Sequence, residues 1–277
     1  MRTDAPGDGA RSVPAIRWLL GFAAMLVFLA GVQLYAFPLD TATRFAWTIA
    51  SPMTAVFLGA SYWSAVGLEL SGALARRWAV SRVAVPAVFV FTSLTFVVTL
   101  LHLDKFHLAG GLATGTRAVT WAWIGVYAVV PVLLALAWVL QARAGTAVPP
   151  AAGLPTPVRV TLVALAVVLV AVGAALLVAP GWADAVWPWP LTPLTARAVG
   201  AWCVGLAVAA GHARLVDDAP SLGPVGVTGV LVGVLQTIAL VRHGSELDWS
   251  SPAGAGYLVV LTAITAVGAW LLWASRR

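Results

Sequence analysis

The chain has 277 residues, of which 61% are hydrophobic and only 9% are charged, and its formal net charge is +6. Soluble domains carry about 25% charged residues, so this composition excludes an ordinary soluble protein and indicates a protein embedded in a lipid bilayer. Most basic residues flank apolar runs and form no continuous stripe, which argues against nucleic-acid binding.

Cysteine and lysine are both nearly absent. Cys203 is the single cysteine, so the chain has no CxxC pair for redox chemistry or for a thiolate metal site. Lys105 is the single lysine among sixteen basic residues, whereas Ala, Val, Gly and Pro are abundant. This bias is typical of GC-rich genomes, and we therefore expect a protein of a bacterial cytoplasmic (inner) membrane.

Eight apolar segments follow one another along the chain. They lie at approximately 16–37, 45–71, 80–102, 118–141, 158–179, 197–216, 222–241 and 254–274. Each is long enough to cross about 30 Å of hydrocarbon as a helix, which satisfies its own backbone hydrogen bonds there. The first lacks a convincing cleavage site and is expected to be retained. The sequence thus predicts an all-α integral membrane protein with eight transmembrane helices.

The distribution of Lys and Arg predicts the orientation of these helices. If the N-terminus is cytoplasmic, eleven of the sixteen basic residues lie on the inner side and five on the outer side. Cytoplasmic connections carry the excess of basic residues in most membrane proteins. We therefore expect both termini in the cytoplasm.

Two similar segments, FPLDTATR at 37–44 and WPLTPLTAR at 189–197, lie at the starts of predicted spans 2 and 6. Further matches between the halves are Arg17 with Arg159, Gly31 with Gly173, Arg44 with Arg197, His102 with His243, and Trp138 with Trp270. They predict a duplicated four-helix unit in two parallel copies, related by a pseudo-twofold axis along the membrane normal. The alternative is chance similarity between Ala-, Val- and Leu-rich helices.

This duplication divides the chain into four parts. Residues 1–15 form a cytoplasmic tail, 16–143 the first repeat, 144–157 a Pro- and Ala-rich cytoplasmic linker, and 158–277 the second repeat.

Polar residues inside predicted spans are costly in lipid and are candidate functional residues. In span 3, Thr92, Thr95, Thr99 and His102 share one helical face, and in span 7 the matching face carries Gly226, Gly229, Gly233 and Gln236 and leads towards His243. These faces are either packing seams or the lining of an outward-opening path between the repeats, with Thr95 and Gln236 as its polar groups. Glu69, near the inner end of span 2, is expected at the membrane interface.

Arg44 and Arg197 are predicted at the N-termini of spans 2 and 6, where the helix macrodipole disfavours a cation. A bound phosphate or carboxylate would offset that penalty, and snorkelling of the arginines to lipid headgroups is the alternative.

Outer loops hold the remaining ionisable candidates. His102, Asp104 and His107 are weak candidates for metal ligands, with His243, Glu246 and Asp248 in the matching loop. A solvated loop is the alternative interpretation, because no motif fixes their geometry. We find no catalytic motif and predict no cofactor.

These patterns favour a transporter-like or accessory membrane bundle without catalytic activity, with a small-molecule or anion site between the repeats. Its ligand-binding candidates are Arg44, Arg197, Thr95, Thr99, Gln236, His102 and His243. One alternative is a membrane-embedded enzyme or metal-binding redox component that uses the outer His, Asp and Glu residues. Another is a structural subunit whose partners are other membrane proteins.

Overall fold

The computed structural model describes residues 9–148 and 153–277, so the predicted tail at 1–15 and linker at 144–157 lie partly outside the described residues. Every regular element in these two ranges is helical, apart from two isolated β-bridges. The eight long helices are α1 (Pro14–Gly31), α2 (Pro52–Leu74), α3 (Ala84–Leu101), α4 (Thr114–Ala144), α5 (Thr156–Val178), α6 (Pro193–Val216), α7 (Gly223–His243) and α8 (Pro252–Ala274). A π-helical turn, Val32–Ala36, extends α1.

Seven helices in the described part of the chain are long and apolar enough to cross a membrane. They are α1 with its π-helical turn, α3 with the short helix Trp78–Ser81 before it, α4, α5, α6, α7 with its flanking turns, and α8. The remaining long helix, α2, has 23 residues, but it carries Ser61, Tyr62, Ser64 and Glu69 and is not among these seven.

The position of α2 explains how it tolerates these polar residues. Fourteen of its 23 residues are buried, among them Ser61, Tyr62, Ser64 and Glu69. Polar groups are costly where they face hydrocarbon and acceptable where they face protein. The neighbouring helices therefore shield α2, which lies in the middle of the bundle.

Three long helices begin at a Ser-Pro or Thr-Pro pair. Ser51, Thr192 and Ser251 are the N-caps of α2, α6 and α8, and each accepts a hydrogen bond from the backbone three residues later. Proline at the first helical position adds a preset backbone angle. The helix of the second apolar segment consequently begins at Pro52, and the prediction of a helix from residue 45 is wrong because Phe45–Ser51 is non-helical.

Each half of the chain makes the same principal helix pairs. Within the first half α1 packs on α2 and α3 on α4, and within the second α5 packs on α6 and α7 on α8. Between the halves, α2 packs on α7 and α3 on α6. Exchanging α1–α4 with α5–α8 leaves this set of pairs unchanged.

The connections lie at two ends of the bundle. The end that carries Gly9 and the C-terminal residue Arg277, here called the terminal face, contains residues 9–13, 75–83, 145–148, 217–222 and 275–277. The opposite end, called the distal face, contains residues 37–51, 102–113, 179–192 and 244–251. At the terminal face the buried Gln141 side chain accepts from the backbone N–H of Val13 at 2.8 Å and donates to the carbonyl of Arg11 at 3.0 Å.

The glycines of α7 face α8. A Cβ atom at Gly226 would meet the backbone of Leu272 and Gly268, one at Gly229 the backbone of Gly268, and one at Gly233 the side chain of Thr265. Small residues allow helices to approach this closely in membranes. These contacts agree with the packing-seam alternative for this face of α7.

Replacing Gly268 by Ala should destabilise the bundle, because the added methyl group would lie 2.8 Å from the backbone of Gly229. We expect a loss of about 1–3 kcal/mol, which is typical of overpacking. Gly125→Ala is the matched control, since a Cβ atom at Gly125 in α4 meets nothing within 4 Å. Thermal unfolding in detergent should separate the two variants, and equal midpoints would contradict the close α7–α8 contact.

Candidate functional site

Arg197 connects the two halves at the distal face. It is the fifth residue of α6, its Nε donates to the carbonyl of Leu177 at 3.0 Å, and its Nη1 lies 2.7 Å from Nε2 of His102. Leu177 is in the last turn of α5, where the helix dipole favours a cation. The carbonyl of Leu177 and the ring nitrogen of His102 therefore serve as acceptors for the guanidinium.

Arg44 is not at the start of a span. It is the last residue of the short helix Thr41–Arg44, where it pairs with Asp40 at 3.2 Å and lies 4.8 Å from the ring centroid of Phe37. The prediction that Arg44 begins span 2 is wrong, because Pro52 begins α2. Arg44 and Arg197 thus have different partners in the described structure.

The candidate metal ligands His102, Asp104 and His107 each contact a different partner. His107 uses both ring nitrogens, Nδ1 with the carbonyl of Phe45 at 2.9 Å and Nε2 with Thr48 at 3.0 Å. Asp104 pairs with Lys105 at 2.9 Å, and His102 pairs with Arg197. No group of three His, Cys, Asp or Glu residues in the described ranges is arranged to hold a metal ion.

Glu246 stabilises the start of α2. Its carboxylate accepts from Ser51 Oγ at 2.6 Å and from the backbone N–H of Met53 at 3.0 Å. A carboxylate is favourable at a helix N-terminus because the first N–H groups have no partner within the helix. This loop of the second half therefore fixes the distal end of a first-half helix. His243, the predicted counterpart of His102, has a buried Nε2 atom that lacks a hydrogen-bond partner within the described part of the chain.

Thr92, Thr95 and Thr99 each donate to the carbonyl four residues earlier in α3. This bonding is what the packing-seam interpretation expects of threonine. Gln236 donates to the carbonyl of Phe57 at 3.0 Å and to Ser61 at 3.3 Å, and it accepts from Tyr257 at 3.3 Å. It lines a cavity of about 170 Å³ between α2 and the second-half helices, a cavity that Thr95 does not line.

A larger cavity, of about 240 Å³, lies among α1, α2, α3 and α4. We call it the Glu69 cavity, because Glu69 lines it with Gln33 and Thr92 as further polar residues. Glu69 is only 3% exposed, so its side chain is enclosed by protein. Its Oε2 atom has no hydrogen-bond partner in the described ranges. Five residues, or about 8 Å of helix, separate it from Leu74, the last residue of α2 at the terminal face.

Four aromatic side chains line the Glu69 cavity: Tyr62, Phe91, Trp123 and Tyr127. The hydroxyls of Tyr62 and Tyr127 are 2.8 Å apart, and the ring centroids of Trp123 and Tyr127 are 4.5 Å apart. Trp123 is held by its Nε1, which donates to Thr99 Oγ1 at 3.1 Å. The Tyr62–Tyr127 bond uses one of the two hydroxyl protons, so the other can be donated to a neighbouring acceptor.

The Glu69 cavity opens sideways between α1 and α4. Leu29 of α1 is 51% exposed, Ala122 of α4 is also exposed, and both line the cavity. This opening is on the flank of two candidate membrane spans and away from both end faces. A molecule dissolved in the bilayer could therefore enter directly from the lipid.

Sequence reasoning did not single out this site, although one signal pointed to it. Glu69 is the only acidic residue within the eight predicted spans. An ionisable residue inside the membrane marks a functional site more often than a structural one. The aromatic residues that line the cavity with it come from three helices, so no local pattern could reveal them.

No family model, no curated protein and no solved structure matches this chain.

The contact between His102 and Arg197 should make stability depend on pH. Burial, followed by the charge of Arg197, lowers the pKa of His102, with Lys105 acting in the same direction and Asp104 opposing. The folded protein therefore disfavours the imidazolium. The unfolded chain takes up this proton first as the pH falls through about 6.5, and stability declines there. Thermal midpoints measured between about pH 7.5 and about pH 5.5 should fall on acidification, and less so in His102→Gln. The same profile in both proteins would contradict the prediction.

Proposed function

We propose that this chain is a transporter-like membrane protein of eight spans, which binds a small and largely apolar molecule within the bilayer. The observation that supports this most strongly is the Glu69 cavity. It combines apolar walls with a few polar groups and a lateral opening, as binding sites for small molecules commonly do. A cavity of about 150 Å³ suffices for benzene, so about 240 Å³ can hold a molecule with one ring and a short side group.

Burial of Glu69 is the reason to regard this cavity as functional. A buried carboxyl group without a partner is destabilising, and replacement by an apolar residue would remove the cost. Such groups are rare inside spans and mark substrate or ion pathways. A purely structural role gives no physical reason for an acid at this position.

The eighth span and the duplication are part of the proposal. The length of α2 and its position among candidate spans support its crossing the membrane, with its polar residues facing protein. The unchanged helix pairs on exchange of the halves support two parallel four-helix repeats. The helix starts also support the alignment of the two halves. Ser51-Pro52 and Thr192-Pro193 are 141 residues apart, and so are His102 and His243.

The distribution of charge supports the proposed orientation. The excess of Arg at the terminal face supports a cytoplasmic position for both termini, with the distal face outside. We place the protein in a bacterial inner membrane. The second cavity, lined by Gln236 and Tyr257, occupies a comparable position in the second repeat and is the remaining candidate from the predicted site.

Cavity occupancy can be tested with two probes of matched shape, neutral neopentylbenzene and cationic benzyltrimethylammonium. Val126→Phe would fill the Glu69 cavity, whereas Val129→Phe adds the same side chain at an exposed position of α4. We expect at least one probe to raise the thermal midpoint of the parent and of Val129→Phe in nanodiscs, but not of Val126→Phe. At one hundred times the dissociation constant, binding stabilises the folded protein by about 2.7 kcal/mol.

The matched variants distinguish binding to the cavity from effects of the probes on the bilayer, because all three proteins are embedded in the same lipid. A shift of equal size in the parent and both variants would mean that the probes act on the membrane. That result, or no shift with either probe, would contradict the proposed function.

A further inference from the structure

The polar groups of the Glu69 cavity favour one kind of ligand over another. Its lining contains one carboxyl group and two tyrosine hydroxyls as titratable groups, and no Lys, Arg or His of the described residues is among the lining. The smaller cavity of about 50 Å³ on the other side of Glu69, between the repeats, adds Ser61, Ser64 and Thr228 but likewise no cationic side chain. An ionised Glu69 would therefore have no counter-ion supplied by the protein.

We propose that the Glu69 cavity binds a lipophilic organic cation in exchange for a proton. This inference rests on the proposed function and specifies the chemical class of its ligand. A cation beside Glu69 would provide the charge partner that the side chain lacks.

The aromatic side chains support a cation at this place. The faces of tyrosine, tryptophan and phenylalanine rings attract cations, most strongly where water is excluded, and aromatic cages are used to bind quaternary ammonium groups. Tyr62, Phe91, Trp123 and Tyr127 come from three helices and line the same cavity as the carboxyl group. Their ring contacts are consistent with one cluster, with centroids of Phe91 and Tyr127 6.1 Å apart and of Tyr62 and Trp123 6.2 Å apart.

The side opening supports a cation that is also lipophilic. A small hydrated ion would have to shed its water and cross hydrocarbon to reach the opening beside Leu29 and Ala122. An organic cation with apolar groups partitions into the bilayer first and can enter from there. The apolar side chains of α1 along the cavity, such as Val27 and Leu26, would then contact its apolar part.

The exchange is balanced in charge and atoms. Without a cation, an isolated carboxylate in these surroundings is too costly, so Glu69 holds a proton. When the cation enters, the carboxyl O–H bond breaks, the carboxylate pairs with the cation, and one proton is released to the solvent. No net charge is added to the protein interior by this exchange.

Calorimetry of benzyltrimethylammonium binding to the protein in nanodiscs tests the inference. Measuring in two buffers of different ionisation enthalpy gives the number of protons released. One proton should be released per cation bound. The affinity should rise about tenfold per pH unit between about pH 6 and about pH 8, because the proton and the cation compete for one carboxyl group. Neopentylbenzene, which has carbon in place of the ammonium nitrogen, should bind at least tenfold more weakly at the higher pH and release no proton.

Three variants separate the role of the carboxyl group from a general effect on folding. Glu69→Gln should lose cation binding and its pH dependence, whereas Glu69→Asp keeps a carboxyl group and should keep the proton release. Asp40→Asn removes a carboxylate at the exposed distal face and should behave as the parent does. If Glu69→Gln failed to fold, the number of protons released and the pH dependence of the affinity in the parent and in Glu69→Asp would still test the inference.

Cation binding without proton release, or unchanged binding in a folded Glu69→Gln, would overturn the inference. If only the neutral probe binds, and Val126→Phe abolishes its binding, the proposed function stands and the cation exchange is wrong. If neither probe binds, both proposals fail.

Discussion

Burial of the polar helix α2 is the constraint on which the rest of the structure depends. Its serines, Tyr62 and Glu69 cannot face hydrocarbon at acceptable cost, so other helices must cover them. Helices α1 and α7 provide most of this cover, one from each half of the chain. Glu246 fixes the distal end of α2 by accepting from Ser51 and from the backbone of Met53. The two halves are thus joined through a first-half helix that carries the candidate site.

Much of the fold could be predicted from the sequence, because apolar length and punctuation by proline and glycine are local signals. Seven predicted spans correspond closely to candidate membrane helices. Predicted span 2 was placed too early. The stretch Phe45–Ile49 resembles part of a span, but it lies before the helix start at Ser51-Pro52. That same error gave Arg44 a position at a helix N-terminus. The candidate site depends on contacts between four helices, so the sequence could indicate Glu69 as unusual but not its aromatic surroundings.

The two halves share their helix pairs but differ in chemistry. Glu69 lies in the first half, and the residue 141 positions later is Ala210, which has no polar side chain. Thr95 and Gln236 are likewise 141 positions apart, and only Gln236 lines one of the larger cavities. In the proposed duplication, the common four-helix framework persists in both copies while the acidic site belongs to one. That asymmetry gives the first-half cavity a charge-bearing group that the second-half cavity lacks.

The protonation state of Glu69 is the most direct test of this account. Infrared spectroscopy of the protein in nanodiscs distinguishes the carbonyl stretch of a neutral carboxylic acid from the bands of a carboxylate. The account predicts a neutral-acid band at neutral pH that is absent in Glu69→Gln and that disappears when benzyltrimethylammonium is added. A parent spectrum that contains only carboxylate bands, with no difference in the neutral-acid region between parent and variant, would contradict it.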